Sequence, residues 1–170
     1  MTSKILALFS ALILGWGSTG LAMAAPAEKE VPVIGQSFAS KEMRPGDVWK
    51  VYLKASDPDG KMKYIFATIS QPGVGTYPVS ITRIKDENQK ELSGYISLNT
   101  APIGSTQFFN LTLTLTVNIQ GAGGVFSQAA VFPLFFQPKA GPERPLEGIF
   151  KEQYLGPIMV TLKTASGTRT

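Results

Sequence analysis

The carboxylates of Asp57 and Asp59 stand two positions apart in the string Asp57-Pro58-Asp59-Gly60. Calcium takes hard oxygen ligands of this kind, and Asp86 or Glu87 would have to approach from another loop to help complete such a site. The same string also suits a type I turn, because Asp caps the turn, Pro presets φ and Gly takes the last position. Two interpretations follow, a structural turn and a calcium site with Asp57 and Asp59 as ligands. No other cofactor is expected.

A basic and aromatic pattern lies just before this string. Lys50, Tyr52 and Lys54 alternate with apolar residues, so they share one face of a strand. Such a face would contact an anionic glycan or an envelope polymer. Alternating lysines also occur on solvated faces, where their aliphatic stems cover aromatic carbon. These three residues are therefore candidate ligand or partner contacts, with an ordinary solvated face as the alternative.

The most apolar run outside the N-terminus spans residues 131–136. In a strand, Phe132, Leu134 and Phe136 share one face and Phe135 points the opposite way. One interpretation is a core strand whose second face is covered by a loop. The other is that Phe135 belongs to an exposed aromatic site that docks a partner, since large apolar patches on exported proteins mark interfaces.

The sequence contains no histidine and no cysteine. It therefore lacks the commonest general base and zinc ligand, thiolate nucleophiles and disulfides. The nucleophile elbow, the phosphate-binding loop and the dinucleotide fingerprint are missing as well. A carboxylate-dependent hydrolase is the catalytic class that remains, because any two of the 12 acidic residues can meet in space. We rank it last and predict a protein that is not an enzyme.

The sequence pattern predicts that the elements which position these residues are short strands. Charged residues make up only 16% of the chain, which has 17 glycines and 12 prolines, and apolar residues recur with a period of two. The predicted strands cover 48–55, 62–69, 77–84, 92–98, 108–119, 125–136 and 158–162, with 31–38 and 148–154 as weaker candidates. Segment 62–69 is apolar on both faces, which favours a central position. Pro133 favours an edge strand or a bulge.

Seven to nine short strands without a convincing amphipathic helix predict an antiparallel β-sandwich. The string Ala55–Tyr64 reads A-x-D-P-D-G-x-x-x-Y and resembles the junction of bacterial immunoglobulin-like, cadherin-like and PKD-like extracellular modules. Arg44-Pro45-Gly46-Asp47 is similar to the turn that enters their second strand. The matching positions cover 44–66, and the strand count extends the likeness to 31–163. The resemblance implies an immunoglobulin-like sandwich, a fold that serves as spacer, adhesion domain or ligand platform.

The first residues are typical of a secretory signal peptide. Lys4 precedes an apolar stretch at 5–16, and Ala22-Met23-Ala24 offers small residues for cleavage. The apolar stretch falls short of the ~20 residues that a spanning helix needs, although an uncleaved anchor is the alternative. We predict a signal peptide over 1–24, a flexible leader over 25–30, the immunoglobulin-like sandwich over 31–163 and a flexible tail over 164–170.

The sequence thus predicts a secreted protein of the periplasm or the cell exterior, without a membrane span after cleavage. The net charge of +4 comes from scattered lysines and arginines, a pattern that does not favour nucleic acid. We expect a non-catalytic binding or structural module whose partner is another envelope or extracellular protein. A glycan-binding or polymer-binding module is the alternative.

Overall fold

The computed structural model describes residues 31–100 and 110–163. The predicted signal peptide, leader and tail, and the start of the strand predicted over 108–119, lie outside the described residues. The described chain is all-β, as the sequence predicts, with one turn of 3₁₀ helix at Asp86–Asn88. Its strands are β1 (Val33–Ala39), β2 (Glu42–Met43), β3 (Val48–Ser56), β4 (Met62–Gln71), β5 (Gly75–Thr76), β6 (Ser80–Arg83), β7 (Glu91–Asn99), β8 (Thr112–Gly121), β9 (Ala130–Phe136) and β10 (Tyr154–Pro157).

The strands form two sheets packed as a sandwich. The four-stranded sheet has the order β1-β3-β7-β10, and the six-stranded sheet has the order β2-β9-β8-β4, with β5 and β6 both pairing with β4. The prediction of purely antiparallel pairing is wrong at two places, because β10 pairs with β7 and β2 pairs with β9 in parallel. In both cases the chain has just crossed from the other sheet. Such a crossover, unlike a hairpin, allows parallel pairing.

Alternation of side chains builds the core, and β8 shows it most clearly. Leu113, Leu115, Val117 and Ile119 are fully buried, whereas the threonines between them point outward. Each such burial contributes about 1.5–3 kcal/mol. The residues of the opposite sheet that complete the core include Trp49, Val51, Leu53, Leu92, Ile96 and Leu98.

Two positional predictions for the six-stranded sheet are confirmed. Strand β4 lies inside the sheet, between β8 on one side and β5 and β6 on the other. Pro133 of β9 pairs with Thr114 of β8, while β2 covers β9 only at Phe135 and Phe136. Along 130–134 no described strand pairs with the other side of β9, so the missing N–H of Pro133 removes no ladder hydrogen bond.

The two strands predicted near the C-terminus, 148–154 and 158–162, are wrong, because the strand β10 lies between them. Ile158 and Leu162 are nevertheless buried. Hydrogen bonds from side chains, instead of strand pairing, hold this last segment. The Gln71 amide donates a 2.6 Å hydrogen bond to the carbonyl of Lys163, whose N–H donates to the Tyr77 hydroxyl at 2.7 Å. No helix among the described residues is long and apolar enough to cross a membrane.

Candidate binding surfaces

Residues 137–153, here called the strap, connect β9 to β10 across the outer face of the four-stranded sheet. Glu152 anchors the strap. One carboxylate oxygen accepts a 2.7 Å hydrogen bond from the Tyr52 hydroxyl, and the other accepts a 3.0 Å bond from the ammonium group of Lys50. The Phe150 ring lies 5.6 Å from the Tyr52 ring. Tyr52 is consequently only 5% exposed, although its position in the strand pattern faces outward.

The three groups at this anchor, Lys50, Tyr52 and Glu152, shift one another's pKa values. The hydrogen bond from Tyr52, followed by the bond from Lys50, lowers the pKa of Glu152. Burial, followed by the hydrogen bond to Glu152, raises the pKa of Tyr52, and the bond to Glu152 raises the pKa of Lys50. At neutral pH the anchor therefore consists of a carboxylate, an ammonium group and a neutral phenol.

Tyr52 belongs to a row of aromatic rings that crosses the four-stranded sheet. Phe38 of β1, Tyr52 of β3, Tyr95 of β7 and Tyr154 of β10 follow one another at centroid distances of 6.4, 5.4 and 5.6 Å. The Lys50 ammonium nitrogen lies 4.2 Å from the centroid of the Tyr95 ring, a cation–π distance. Strand pairing creates this row from four separate segments.

Two cavities flank Phe150 where the strap meets the sheet. One, of about 620 Å³, is lined by Lys50, Tyr52 and the strap segment 142–148. The other, of about 750 Å³, is lined by Lys54 together with Glu91 and the strap segment 148–151. The structure therefore divides the predicted patch: Lys50 is paired and Tyr52 is covered, whereas Lys54 is exposed and has no ion pair among the described residues. A ligand-binding role for these three residues stays a prediction.

The carboxylate of Asp57 is 2% exposed and caps its own turn. Its two oxygens accept hydrogen bonds from the N–H groups of Asp59, at 3.0 Å, and Lys61, at 3.2 Å. The Asp59 carboxylate pairs with the Lys61 ammonium group at 3.0 Å, and Gly60 has φ +64°, which favours glycine. In the described part of the chain, no three acidic side chains lie close enough together to hold a metal. The hydrogen bonds fit the turn interpretation, and the calcium site stays a prediction.

The outer face of the six-stranded sheet lies opposite the strap side, and we call it the open face. Cross-strand partners project to the same side of a sheet, so the registers define its members. They are Glu42 of β2; Val131, Pro133 and Phe135 of β9; Thr112, Thr114, Thr116, Asn118 and Gln120 of β8; Tyr64, Phe66, Thr68 and Ser70 of β4; Thr76 of β5; Ile81 and Arg83 of β6; and Phe126.

The open face carries several exposed apolar side chains. Ile81, Val131 and Phe126 are 52%, 58% and 46% exposed. The rings of Tyr64 and Phe66 lie 6.4 Å apart, and Phe66 lies 5.1 Å from Phe126. An aromatic cluster therefore occupies one end of this face.

Phe135 is half-buried on the open face, at the end away from the aromatic cluster. It lies beside Glu42 and Thr112, while Phe132, Leu134 and Phe136 are buried in the core. The structure thus places Phe135 on the face that points away from its three apolar neighbours, as alternation predicts. Its partner-binding role stays a prediction.

Charge is confined to two corners of the open face. Glu42 is paired with Phe135, which faces Thr112 at the first end of β8. Arg83 is paired with Tyr64, which faces Gln120 at the last end of β8. Since β2 and β6 lie on opposite edges of the sheet, these two charges occupy diagonally opposite corners. The exposed Lys63, next to Tyr64 at the bulge of β4, adds positive charge at the Arg83 corner.

Sequence reasoning missed most of both surfaces. It identified neither Glu152 and Phe150 of the strap nor the aromatic cluster of the open face. A signal for the cluster was present, because residues 62–69 are apolar on both faces. That signal was assigned to a central strand position alone. It also marked an outward aromatic pair, Tyr64 and Phe66.

Comparison with protein-family models, with curated proteins and with solved structures finds no match to this chain.

Proposed function

We propose that the protein is an exported, non-catalytic module that docks a partner protein through the open face. One observation carries the proposal: Ile81, Val131 and Phe126 are about half exposed on a sheet face where the described charged residues lie at two corners. Exposed apolar area of this kind marks interaction sites on soluble proteins. Interface centres are likewise depleted in charge and enriched in aromatic residues.

The fold that we propose is immunoglobulin-like. The order β1-β3-β7 in one sheet and β9-β8-β4 in the other corresponds to strands A-B-E and G-F-C of that fold. Strand β6 then takes the C′ position beside β4, and β10 occupies the free edge of β7 where strand D lies in constant-type domains. The Asp57–Gly60 turn between β3 and β4 stands at the B–C junction. This correspondence supports the resemblance drawn from the string Ala55–Tyr64.

The compartment and the absence of catalysis belong to the same proposal. The pattern of Lys4, the apolar stretch 5–16 and Ala22-Met23-Ala24 supports export to the periplasm or the cell exterior. A chain without histidine and cysteine supports a binding role over a catalytic one. A cysteine-free sandwich also folds without an oxidative step, since its core alone holds it together.

The open face fits a protein better than a glycan. Its central outward positions are threonines, with aromatic and aliphatic side chains around them, and it forms a sheet surface instead of a cleft. A glycan site needs several convergent polar groups, and on the strap side the outward Tyr52 is covered. Glycan binding therefore remains the alternative for the cavities beside Phe150, and the open face is the proposed protein-docking surface.

Photo-crosslinking in the native cell tests the proposal. A crosslinking amino acid at Thr114, near the centre of the open face, is expected to capture one stoichiometric protein, which mass spectrometry identifies. The matched control carries the same probe at Gln36, which is exposed on the other sheet. Introducing Ile81→Lys with Val131→Lys should abolish capture at Thr114, whereas Met159→Lys, at another exposed apolar residue, should not. Capture at Gln36 alone, or retention on envelope polysaccharide without a protein partner, would refute the proposal.

A further inference from the structure

The charge pattern of the open face points to its partner. Resting on the proposed docking function, we infer that the occupant of the open face is a second copy of this chain, packed face to face across a two-fold axis. Arg83 and Glu42 carry the inference. They are exposed, opposite in charge and placed at opposite corners of the face, and the exposed Lys63 adds to the positive charge at the Arg83 corner.

A two-fold interface places the same surface on both subunits, so a residue pairs either with itself or with a second residue reciprocally. An axis in the plane of the interface, perpendicular to the line that joins Arg83 and Glu42, exchanges the Arg83 corner with the Glu42 corner. Each Arg83 then lies against Glu42 of the second copy, and the interface contains two such ion pairs. The strands of the two sheets cross at roughly 70°, which is closer to the orthogonal than to the aligned class of sheet packing.

The apolar members fit the same arrangement. The axis runs close to the middle of β8, so the threonine positions of the two copies face each other. In this dimer the aromatic cluster of Tyr64, Phe66 and Phe126 lies towards the apolar side chains of β9 in the second copy, which include Val131 and Phe135. Aromatic rings therefore pack against apolar side chains.

The available area sets the strength of this association. Five strands about 4.8 Å apart and a central strand of ten residues at about 3.3 Å each give a face of roughly 20 by 30 Å. Two such faces, crossed in this way, overlap over roughly 450 Å² each and bury about 900 Å² in total, which is the size of a weak or transient interface. A reversible, concentration-dependent dimer follows. The sheet edge is the poorer surface for self-association, since Pro133 interrupts the exposed side of β9.

Charge exchange tests this inference. Sedimentation equilibrium of the purified protein is expected to show a monomer–dimer equilibrium. Arg83→Glu alone puts carboxylates in contact and should weaken the dimer at least about 10-fold, as should Glu42→Arg alone, because like charges oppose association. The double variant with both changes restores opposite charges and should recover most of the wild-type affinity. Lys54→Glu, which changes an exposed lysine of β3 on the other sheet by the same charge, serves as the control.

Circular dichroism and thermal melting establish that each variant is folded. Recovery in the double variant supports the inference, because a merely destabilising change is not rescued by a second one. A monomer at the highest soluble concentration overturns it, as does a dimer that the single reversals leave unchanged. If the protein is monomeric while Thr114 still captures another protein in cells, the second copy is excluded and the docking function stands. If capture at Thr114 fails too, both proposals fall.

Discussion

The Tyr52 hydroxyl and the Glu152 carboxylate are joined by a 2.7 Å hydrogen bond that spans one hundred residues of sequence. It ties the strap to the centre of the four-stranded sheet. Because Glu152 also holds Lys50, a single side chain of the strap satisfies two outward groups of β3. The bond converts a strand face that would otherwise meet solvent into a covered one.

Removal of the Tyr52 hydroxyl isolates this contact. Tyr52→Phe keeps the ring and its packing on Phe150 but loses the hydrogen bond, so the free energy of unfolding should fall by about 1 kcal/mol. Tyr95→Phe is the matched control, because the Tyr95 hydroxyl has no hydrogen bond among the described residues. Its effect should be near zero. Urea unfolding measures both values, and equal losses in the two variants would show that the bond to Glu152 contributes nothing.

The same anchor makes part of the stability depend on pH. The pKa of Glu152 is lowered in the folded protein, from its ordinary value of 4.5. Its contribution is therefore fully present above that value and is lost as the pH falls through the lowered one. We expect Glu152→Gln to be less stable than the wild type at neutral pH, and the gap to narrow as the pH falls through the lowered pKa of Glu152. Glu147→Gln, a strap carboxylate without a hydrogen bond or ion pair among the described residues, should show no such convergence. A gap that persists unchanged in acid would contradict the assignment.

The sequence predicts most strands because alternation is a local property. In β8, Leu113 and Leu115 alternate with threonines, and the pattern alone indicates which face is buried. The same reasoning places Phe135 opposite Phe136. It fails at β10, where the strand contains Gly156 and Pro157 and shows no alternation. That strand forms because it fits against β7, a relationship between distant segments that no local pattern carries.

The candidate surfaces are less predictable for the same reason. Lys50 and Tyr52 were identified as outward residues, which the strand register supports, but the pairing of Lys50 and the burial of Tyr52 depend on a strap one hundred residues away. The open face combines residues from six strands, and the diagonal arrangement of Glu42 and Arg83 appears only once the sheet order is known. A sequence indicates which side of a strand faces outward, and the topology decides what that side meets.

The turn at Asp57 gives a prediction that separates its two interpretations. Asp57→Ala leaves the N–H groups of Asp59 and Lys61 without their acceptor, in a place that is almost fully buried, and should reduce stability by about 1–3 kcal/mol. Asp59→Ala removes only an exposed ion pair with Lys61 and should cost less than about 0.5 kcal/mol. Melting temperatures give both values. Comparable losses, together with a melting temperature that rises with calcium and falls with EDTA, would favour the metal site instead.

A close approach of two backbones controls how β10 covers the edge of β7. Gly94 of β7 is buried, and a Cβ atom there would overlap the carbonyl oxygen of Gln153 and lie 3.0 Å from Leu155. A backbone oxygen cannot rotate away, so Gly94→Ala should displace the end of the strap and β10. We expect a loss of about 1–3 kcal/mol, together with faster hydrogen exchange at the Tyr95 amide, which donates to the same carbonyl at 2.8 Å.

Gly141→Ala is the matched control. A Cβ atom at Gly141 meets nothing within 4 Å, and Gly141 is not one of the glycines with a positive φ. Its stability should stay within about 0.5 kcal/mol of the wild type. If Gly94→Ala were equally neutral, with the Tyr95 amide still protected from hydrogen exchange, β10 would have to shift without a loss of stability. The edge of β7 would then be covered by a loosely fitted strand. A large and localised effect at Gly94 would instead show that contact between the backbones of β7 and the strap, rather than a hydrophobic pattern, selects where the last strand forms.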